Sequence, residues 1–133
     1  MEQALSAVER RIGIRWADLD SSRHVNNAVY LSYLEQARTA WLEQMLGSRE
    51  IVDDFVLVRV EIDFQRELTL DDETAVARCT LAHVGSSSIR TSEEISTPHG
   101  DLAARAESVM VARGQSGRSR PLTDAERSKL SGH

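Results

Sequence analysis

Hydrophobic and polar residues alternate along the N-terminal part of the chain. Between Glu9 and Trp16 the apolar residues Ile12, Ile14 and Trp16 occupy every second position. Alternation of this kind is typical of a strand with one buried face. The pattern therefore predicts a strand over residues 9–16, which ends before the polar cluster at residues 18–27.

A different period begins at Asn27 and continues to Leu46. Apolar residues here recur every three or four positions, which predicts a helix with one apolar face. These residues are Tyr30, Tyr33, Leu34, Ala37, Trp41 and Met45. Gly47 follows as the expected end of the helix. A helix of this length spans roughly 30 Å, so the rest of a small domain must wrap around it.

The second half of the chain predicts four strands. Alternation is clearest from Phe55 to Arg66, and three further segments of strand character follow it. They are Thr74 to Val84, Ser88 to Thr97 and Leu102 to Arg113. Short turns separate these three segments, which favours hairpins in an antiparallel sheet. The order of strand, long helix and four strands predicts an α+β domain with the helix on one face of the sheet.

The length of the chain, 133 residues, favours one domain. We assign residues 1–113 to that domain. Residues 114–133 are rich in serine, glycine and arginine, and we expect them to form a loosely ordered C-terminal tail.

Composition excludes several classes of function. The formal net charge is −5, so no general positive field favours nucleic-acid binding. The single cysteine, Cys79, has no partner for an internal disulfide, which favours a reducing cytoplasm. No apolar run is long enough for a membrane span, and no secretory signal is visible at the N-terminus.

One segment carries a specific motif, DLDSSRHVNNAVYLSYLEQAR from Asp18 to Arg38. It resembles the signature of the 4-hydroxybenzoyl-CoA thioesterase-like family of hotdog-fold proteins, D-x-D-x-x-G-H-V-N-N-x-x-Y-L-x-Y-x-E-x-A-R. Twelve residues match in register: Asp18, Asp20, His24, Val25, Asn26, Asn27, Tyr30, Leu31, Tyr33, Glu35, Ala37 and Arg38. The resemblance implies a hotdog fold, in which an antiparallel sheet wraps one long central helix, and hydrolysis of an acyl thioester.

One position departs from the signature, because Arg23 stands where the family has glycine. Glycine permits a positive φ and a close approach of substrate to the backbone. Arginine at this position predicts either a different loop shape or a narrower mouth to the site.

Thioester chemistry explains the residue types of the motif. The carbonyl oxygen gains negative charge during attack and needs donors that are already in place. Free backbone N–H groups at the helix start, from Asn27 onward, supply such donors together with the positive end of the helix dipole. A carboxylate just upstream, Asp20, is placed to act as nucleophile or as general base. Resemblance favours Asp20 over Asp18, which we expect to hold the loop by bonding backbone N–H groups.

The remaining candidates have weaker support. His24 is predicted to orient the carbonyl or to support Asp20. Asn26 is expected to cap the helix and to lie near substrate, and Tyr30 is expected to line the site one turn into the helix. Glu35 is a backup catalyst, because an acid on the helix is the base in related hotdog enzymes. Resemblance alone assigns substrate contact to the turn Gly85, Ser86 and Ser87.

The resemblance also implies partners. It implies an acyl-CoA or acyl carrier protein thioester as substrate, and a homodimer or homotetramer whose active sites are shared between chains. It implies neither a metal nor a further cofactor. Two other functions remain open: a non-catalytic module that binds acyl thioesters, and an enoyl-thioester hydratase. The hydratase is less favoured, because its D-x-N-P-x-H pattern is not present.

Overall fold

The computed structural model describes residues 7–131 as one five-stranded antiparallel sheet and a long helix. The strands are β1 (Val8–Gly13), β2 (Phe55–Phe64), β3 (Thr74–Val84), β4 (Ser88–Ser96) and β5 (Leu102–Ala112), in the spatial order β1-β3-β4-β5-β2. The helices are α1 (Asn27–Leu46), α2 (Arg49–Val52) and α3 (Asp124–Ser131), with 3₁₀ turns at Trp16–Asp18 and Leu70–Asp72. The predicted α+β class and the hotdog arrangement of one sheet around a central helix are confirmed.

Helix α1 begins and ends where the sequence predicts. The Asn26 side chain caps the N-terminus by accepting a hydrogen bond from the Ala28 backbone N–H at 2.8 Å. Gly47 ends the helix in the left-handed conformation with φ 80°, which glycine adopts without steric cost. All six residues of the predicted apolar stripe are buried. No helix in residues 7–131 is both long and apolar enough to cross a membrane.

Small residues on the sheet allow α1 to pack closely. The helix lies against β1, β3 and β4, and the inner faces of β3 and β5 are rich in alanine. Arg38 on this helix donates to Glu93 Oε2 at 2.8 Å and to Ser108 Oγ at 3.1 Å, and Ser108 donates to the other Glu93 oxygen. This buried network satisfies the charges that the core encloses.

The first strand is shorter than predicted. Strand β1 ends at Gly13, and Trp16, which was expected on the buried face, is 74% exposed. The physical reason is local. Asp18 accepts hydrogen bonds from the backbone N–H and the guanidinium of Arg15, and these bonds close a 3₁₀ turn that takes Trp16 out of the strand.

Strand β2 lies at an edge of the sheet, and helix α1 covers little of it. A bulge between Leu57 and Arg59 leaves Val58 outside the regular pairing with β5. Val60 and Ile62 are half-buried as the alternation predicts, whereas Val58 and Phe64 are largely exposed.

The prediction of a loosely ordered C-terminal tail is wrong for residues 114–131. Helix α3 lies in this segment, and Leu122 and Leu130 are buried in the core. Thr123 and Glu126 form a reciprocal cap at its start, with bonds of 2.8 and 3.0 Å. Lys129 Nζ donates to the Leu46 carbonyl oxygen at the end of α1 at 3.0 Å. The tail is ordered because two leucines anchor it in the core and because polar contacts satisfy the start of α3 and connect α3 to the end of α1.

Candidate active site

The loop before α1 is a tight turn. An antiparallel bridge joins Leu19 to Val25, and inside it Asp20 N donates to His24 O at 2.9 Å and Arg23 N donates to Asp20 O at 3.0 Å. Arg23 has φ 65°. A positive φ after such a turn is the conformation that favours glycine. Arg23 thus keeps the backbone conformation that glycine favours, so the prediction of a different loop shape is not needed.

Asp18 fastens this loop to the helix. Its side chain is buried and accepts a hydrogen bond from Tyr33 Oη at 2.8 Å in addition to those from Arg15. Burial opposes ionisation of Asp18, but the hydrogen bonds from Arg15 and Tyr33 together hold its pKa below the ordinary value. Burial and the bond to Asp18 also raise the pKa of Tyr33. Asp18 bonds backbone as the sequence predicts, and it does so as part of a buried polar group.

Four of the predicted residues meet in one groove. The groove has a volume of about 610 Å³. Asp20 and His24 come from the loop, Asn27 and Tyr30 come from the first turn of α1, and residues 64–67 form the opposite wall. We call this the Asp20 groove.

The carboxylate of Asp20 has one engaged and one available oxygen. Oδ1 accepts hydrogen bonds from Ser22 N at 2.9 Å and, more weakly, from His24 N at 3.4 Å. No residue in the range 7–131 donates a hydrogen bond to Oδ2. The first contacts fix the orientation of the side chain in its turn. Because Asp20 is exposed and lines the groove, this second oxygen is accessible to a substrate or to a water molecule.

The helix start presents one free backbone donor. The Ala28 N–H is occupied by the Asn26 side chain, and the Val29 N–H donates to Asn26 O at 2.9 Å. Within the described part of the chain, no acceptor bonds the Asn27 N–H. Asn26 therefore acts as the cap, while Asn27, whose N–H is left available, is one of the residues that line the Asp20 groove.

Tyr30 connects the first turn of α1 to the opposite wall of the groove. Its hydroxyl accepts a hydrogen bond from Leu68 N at 3.2 Å and donates to Arg66 O at 3.4 Å, and its ring meets Phe64 edge-on at 5.1 Å. Burial raises the pKa of Tyr30, which keeps the phenol protonated. Sequence reasoning placed Tyr30 in the site but missed Phe64 to Glu67. Alternation marks residues 55–66 only as strand and does not indicate which end lies beside the helix.

His24 is half-buried at the edge of the groove. Its Nε2 lies 3.1 Å from Glu67 Oε2. A histidine that donates from one ring nitrogen to a carboxylate leaves the other nitrogen free to accept. Glu67, another residue that sequence reasoning missed, is therefore placed to fix the orientation of the His24 ring.

Two groups of predicted residues lie elsewhere. Glu35 lines a separate groove, with Arg10 and Arg49 among its neighbours. The turn of Gly85, Ser86 and Ser87 lies under the C-terminal segment, where Arg127 donates to the Gly85 and Ser86 carbonyl oxygens at 2.8 and 2.9 Å. Within one chain the structure brings neither group to the Asp20 groove, and their predicted roles stay predictions. Among residues 7–131, no group of three or more His, Cys, Asp or Glu side chains is arranged to hold a metal ion.

Proteins named as thioesterases resemble this chain in sequence and in fold. The model of the thioesterase-like superfamily matches residues 14–130. Long-chain acyl-CoA thioesterase FadM of Escherichia coli (strain K12) is 32% identical over 104 residues, which are 74% of this chain and 77% of that protein.

Solved structures agree. A thioesterase from Thermus thermophilus, in complex with coenzyme A and zinc, superposes with a TM-score of 0.85 at 32% identity, over 94% of this chain and 92% of that one. YbaW, a probable thioesterase from Escherichia coli, superposes with a TM-score of 0.80 at 29% identity, over 92% and 96% of the two chains.

These matches, together with the hotdog fold, define the class of enzyme to which the protein belongs: the thioester hydrolases. The chain is a member of the thioesterase-like superfamily. The family and the enzyme class that the motif predicts are thereby confirmed.

Proposed function

We propose that this chain hydrolyses an acyl-CoA thioester to the free acid and coenzyme A in the Asp20 groove. One observation carries the proposal: the same groove is lined by Asp20, whose Oδ2 accepts no hydrogen bond from residues 7–131, and by Asn27, whose backbone N–H has no acceptor among them. Two relatives support acyl-CoA as the substrate class, since FadM is a long-chain acyl-CoA thioesterase and the Thermus thermophilus thioesterase is in complex with coenzyme A.

The Asn27 N–H polarises the carbonyl in this proposal. The thioester oxygen accepts its hydrogen bond, and the positive end of the α1 dipole stabilises the negative charge that develops there. Both groups are fixed before the substrate binds, because the cap at Asn26 sets the direction of the first turn. A donor of this kind increases the rate by a factor on the order of 10²–10³.

Asp20 drives the attack. Its free oxygen either takes a proton from water, which then adds to the carbonyl carbon, or adds to that carbon itself. The tetrahedral species expels the thiolate of coenzyme A, which takes up a proton. A carboxylate attack gives an acyl-enzyme that water then hydrolyses to the acid. His24 orients the thioester from the side of the groove, where Glu67 holds its ring.

A second copy of the chain completes the groove in this proposal. Strand β2 is an edge strand whose side chains Leu57, Val58 and Phe64 are 41%, 54% and 46% exposed. Long apolar edge strands are rarely left uncovered. Because β2 runs directly into the groove wall at Phe64, a partner strand paired with β2 adds a second wall beside Asp20. We therefore propose a homodimer, or a homotetramer built from such dimers.

Sedimentation of the wild type and of a Val58→Lys variant tests this assembly. The lysine places a charge at the proposed contact, so we expect a monomer with little thioesterase activity. A Val58→Lys monomer with wild-type activity would show that one chain is sufficient.

The single cysteine of the chain, Cys79, is a buried residue of β3 and has no partner for an internal disulfide, which favours a reducing compartment. Burial raises the pKa of this thiol, which keeps it protonated and unreactive. We accordingly expect the enzyme to act in the cytoplasm.

Thiol release from saturated acyl-CoA substrates tests the catalytic proposal. Asp20→Asn removes the carboxylate and keeps the side-chain shape, so we expect kcat to fall by at least about 10²-fold. Asp53→Asn is the matched control, because Asp53 is an exposed carboxylate just before β2, at the end of that strand opposite to Phe64 and the groove wall. Its kcat should equal that of the wild type.

Three results would contradict hydrolysis at Asp20. Loss of enoyl absorbance from an unsaturated acyl-CoA without thiol release indicates a hydratase. Saturable binding of acyl-CoA without turnover indicates a binding module. Full activity of Asp20→Asn together with an inactive Glu35→Gln variant moves the catalytic carboxylate to the helix. A scan of acyl length on coenzyme A and on acyl carrier protein then defines the preferred substrate.

A further inference from the structure

A second groove adjoins the Asp20 groove. It has a volume of about 360 Å³ and shares Ser22 and His24 with its neighbour, so the two grooves lie on either side of the same loop. The other residues that line it are Trp16, Leu19, Arg23, Thr69, Leu70 and Asp71. We call it the Trp16 groove.

Two large apolar side chains, Trp16 and Leu70, are exposed in the Trp16 groove. Trp16 is 74% exposed and Leu70 is 37% exposed, whereas the other tryptophan, Trp41, is fully buried. A tryptophan left in solvent loses the burial that normally stabilises it. A flat aromatic face beside an active-site loop suits a ligand that carries an aromatic ring.

Charged side chains give the Trp16 groove two chemically different parts. Arg23 is exposed, and no carboxylate among residues 7–131 forms an ion pair with it. A free guanidinium suits phosphate oxygens, which it binds in a bidentate manner. Asp71 lies on the 3₁₀ turn at Leu70–Asp72, where its carboxylate can accept hydrogen bonds from an amino group.

We propose that the Trp16 groove binds the adenine nucleotide of coenzyme A, with the adenine ring stacked on Trp16 and a phosphate on Arg23. The inference rests on the proposed function, since it extends the acyl-CoA substrate out of the Asp20 groove. An adenine offers an aromatic face to Trp16 and an amino group to Asp71, while the 3′-phosphate and the diphosphate offer charge to Arg23. The pantetheine arm crosses the loop at Ser22 and His24, where the two grooves meet.

The chemistry of the groove favours this end of the substrate over the acyl end. An acyl chain carries no charge and gains nothing from Arg23 or Asp71. A nucleotide complements the aromatic, cationic and acceptor groups together. The proposal therefore also predicts that free coenzyme A binds as a product, and that the enzyme prefers coenzyme A to smaller thiol carriers.

Kinetics on two substrates test the assignment. The same acyl group is presented on coenzyme A and on N-acetylcysteamine, which has no nucleotide. Loss of one stacked base costs on the order of tenfold in binding. We expect Trp16→Ala to raise KM for the acyl-CoA about tenfold with little change in kcat, and to change kcat/KM for the N-acetylcysteamine thioester by less than about twofold. Trp16→Phe keeps an aromatic face, so its KM for the acyl-CoA should be close to that of the wild type.

Fluorescence provides a test that needs no turnover. Since the chain has two tryptophans and Trp41 is buried, Trp16 is the exposed reporter. Adenosine 3′,5′-bisphosphate should quench the emission of the wild type in a saturable manner, and it should leave Trp16→Phe unchanged. Arg23→Asn, a residue type that tolerates positive φ, should weaken the quenching and reduce its dependence on salt.

The outcomes separate the two proposals. Equal losses on both substrates would assign the Trp16 groove to the acyl part and overturn the inference. A lower oligomeric mass for Trp16→Ala would make Trp16 a subunit contact and would also overturn it. An inactive wild type that still shows saturable quenching would contradict the hydrolysis proposal and support the nucleotide site. Absence of quenching in an active enzyme would overturn the site alone.

Discussion

The Tyr33 hydroxyl donates a hydrogen bond of 2.8 Å to the buried carboxylate of Asp18, and the two residues are 15 positions apart in the sequence. The bond connects the second turn of α1 to the loop that carries Asp20. The Asp18 carboxylate also accepts a hydrogen bond from the Arg15 backbone N–H. The Asp18 backbone carbonyl oxygen accepts a hydrogen bond from Asn26 N at 2.9 Å. One buried acid therefore sets the position of the 3₁₀ turn, the loop and the helix cap relative to each other.

Tyr33→Phe removes the hydroxyl and retains the ring. A hydrogen bond to a buried carboxylate contributes about 1.5 to 3 kcal/mol. Because the bonds from Arg15 remain, we expect the free energy of unfolding in urea to fall by about 1 to 2 kcal/mol. The loop also becomes less constrained, so kcat should fall several-fold. Ser32→Ala, an exposed change on the same helix, is the control; equal stability of the two variants would contradict the anchoring role.

Acid unfolding should report Asp18. Its pKa is lower in the folded chain than the ordinary value of 3.8, so the folded state binds fewer protons than the unfolded state. The stability that ionised Asp18 contributes is complete above that ordinary value and is lost as the pH falls through the folded pKa. The gap in unfolding free energy between wild type and Asp18→Asn should therefore narrow as the pH falls below the ordinary pKa of the carboxyl. A gap that stays constant with pH would show that the charge of Asp18 is not involved.

Arg23→Gly should stabilise the protein. A non-glycine residue in the left-handed region carries a steric cost of roughly 1 to 2 kcal/mol, part of which the greater flexibility of glycine in the unfolded chain offsets. We expect a net gain of about 0.5 to 1 kcal/mol in urea unfolding. Gly100→Ala is the reverse control, since Gly100 has φ 93° and open space around it, and should lose a similar amount. A destabilised Arg23→Gly would mean that the guanidinium has a stabilising contact in the folded protein.

Periodicity predicted the parts of the fold that repeat. The stripe from Tyr30 to Met45 and the alternation in the later strands are both direct consequences of which face is buried, and their bounds agree with the structure to within a few residues. Trp16 was placed wrongly because alternation continued by chance past Gly13, where the Arg15 contacts to Asp18 redirect the chain. A short capping interaction overrides a pattern of only three residues.

Long-range contacts explain why part of the candidate site could not be predicted from the sequence. The motif marked Asp20, His24 and Asn27, which are close in sequence and therefore close in space. The wall at Arg66 depends on the Tyr30 hydroxyl, 36 residues away, and no local pattern encodes that contact. The C-terminal segment did carry a local signal, since Thr123 and Glu126 have the spacing of a capping box. Its composition, rich in serine, glycine and arginine, obscured that signal.

Leu130→Ala tests whether the C-terminal helix is part of the folded domain. Leu130 is buried and belongs to the main hydrophobic core, and the helix that carries it is fixed by Glu126, which accepts two hydrogen bonds of 2.9 Å from Arg120. Truncation of a buried leucine leaves a cavity and costs about 2 to 5 kcal/mol. We therefore expect Leu130→Ala to lower the free energy of unfolding by at least about 2 kcal/mol. Ser128→Ala, an exposed change on the same helix, should alter stability by less than about 0.5 kcal/mol. Urea unfolding measures the free energy of unfolding of both variants. If the tail were loosely ordered, Leu130→Ala would be as stable as Ser128→Ala.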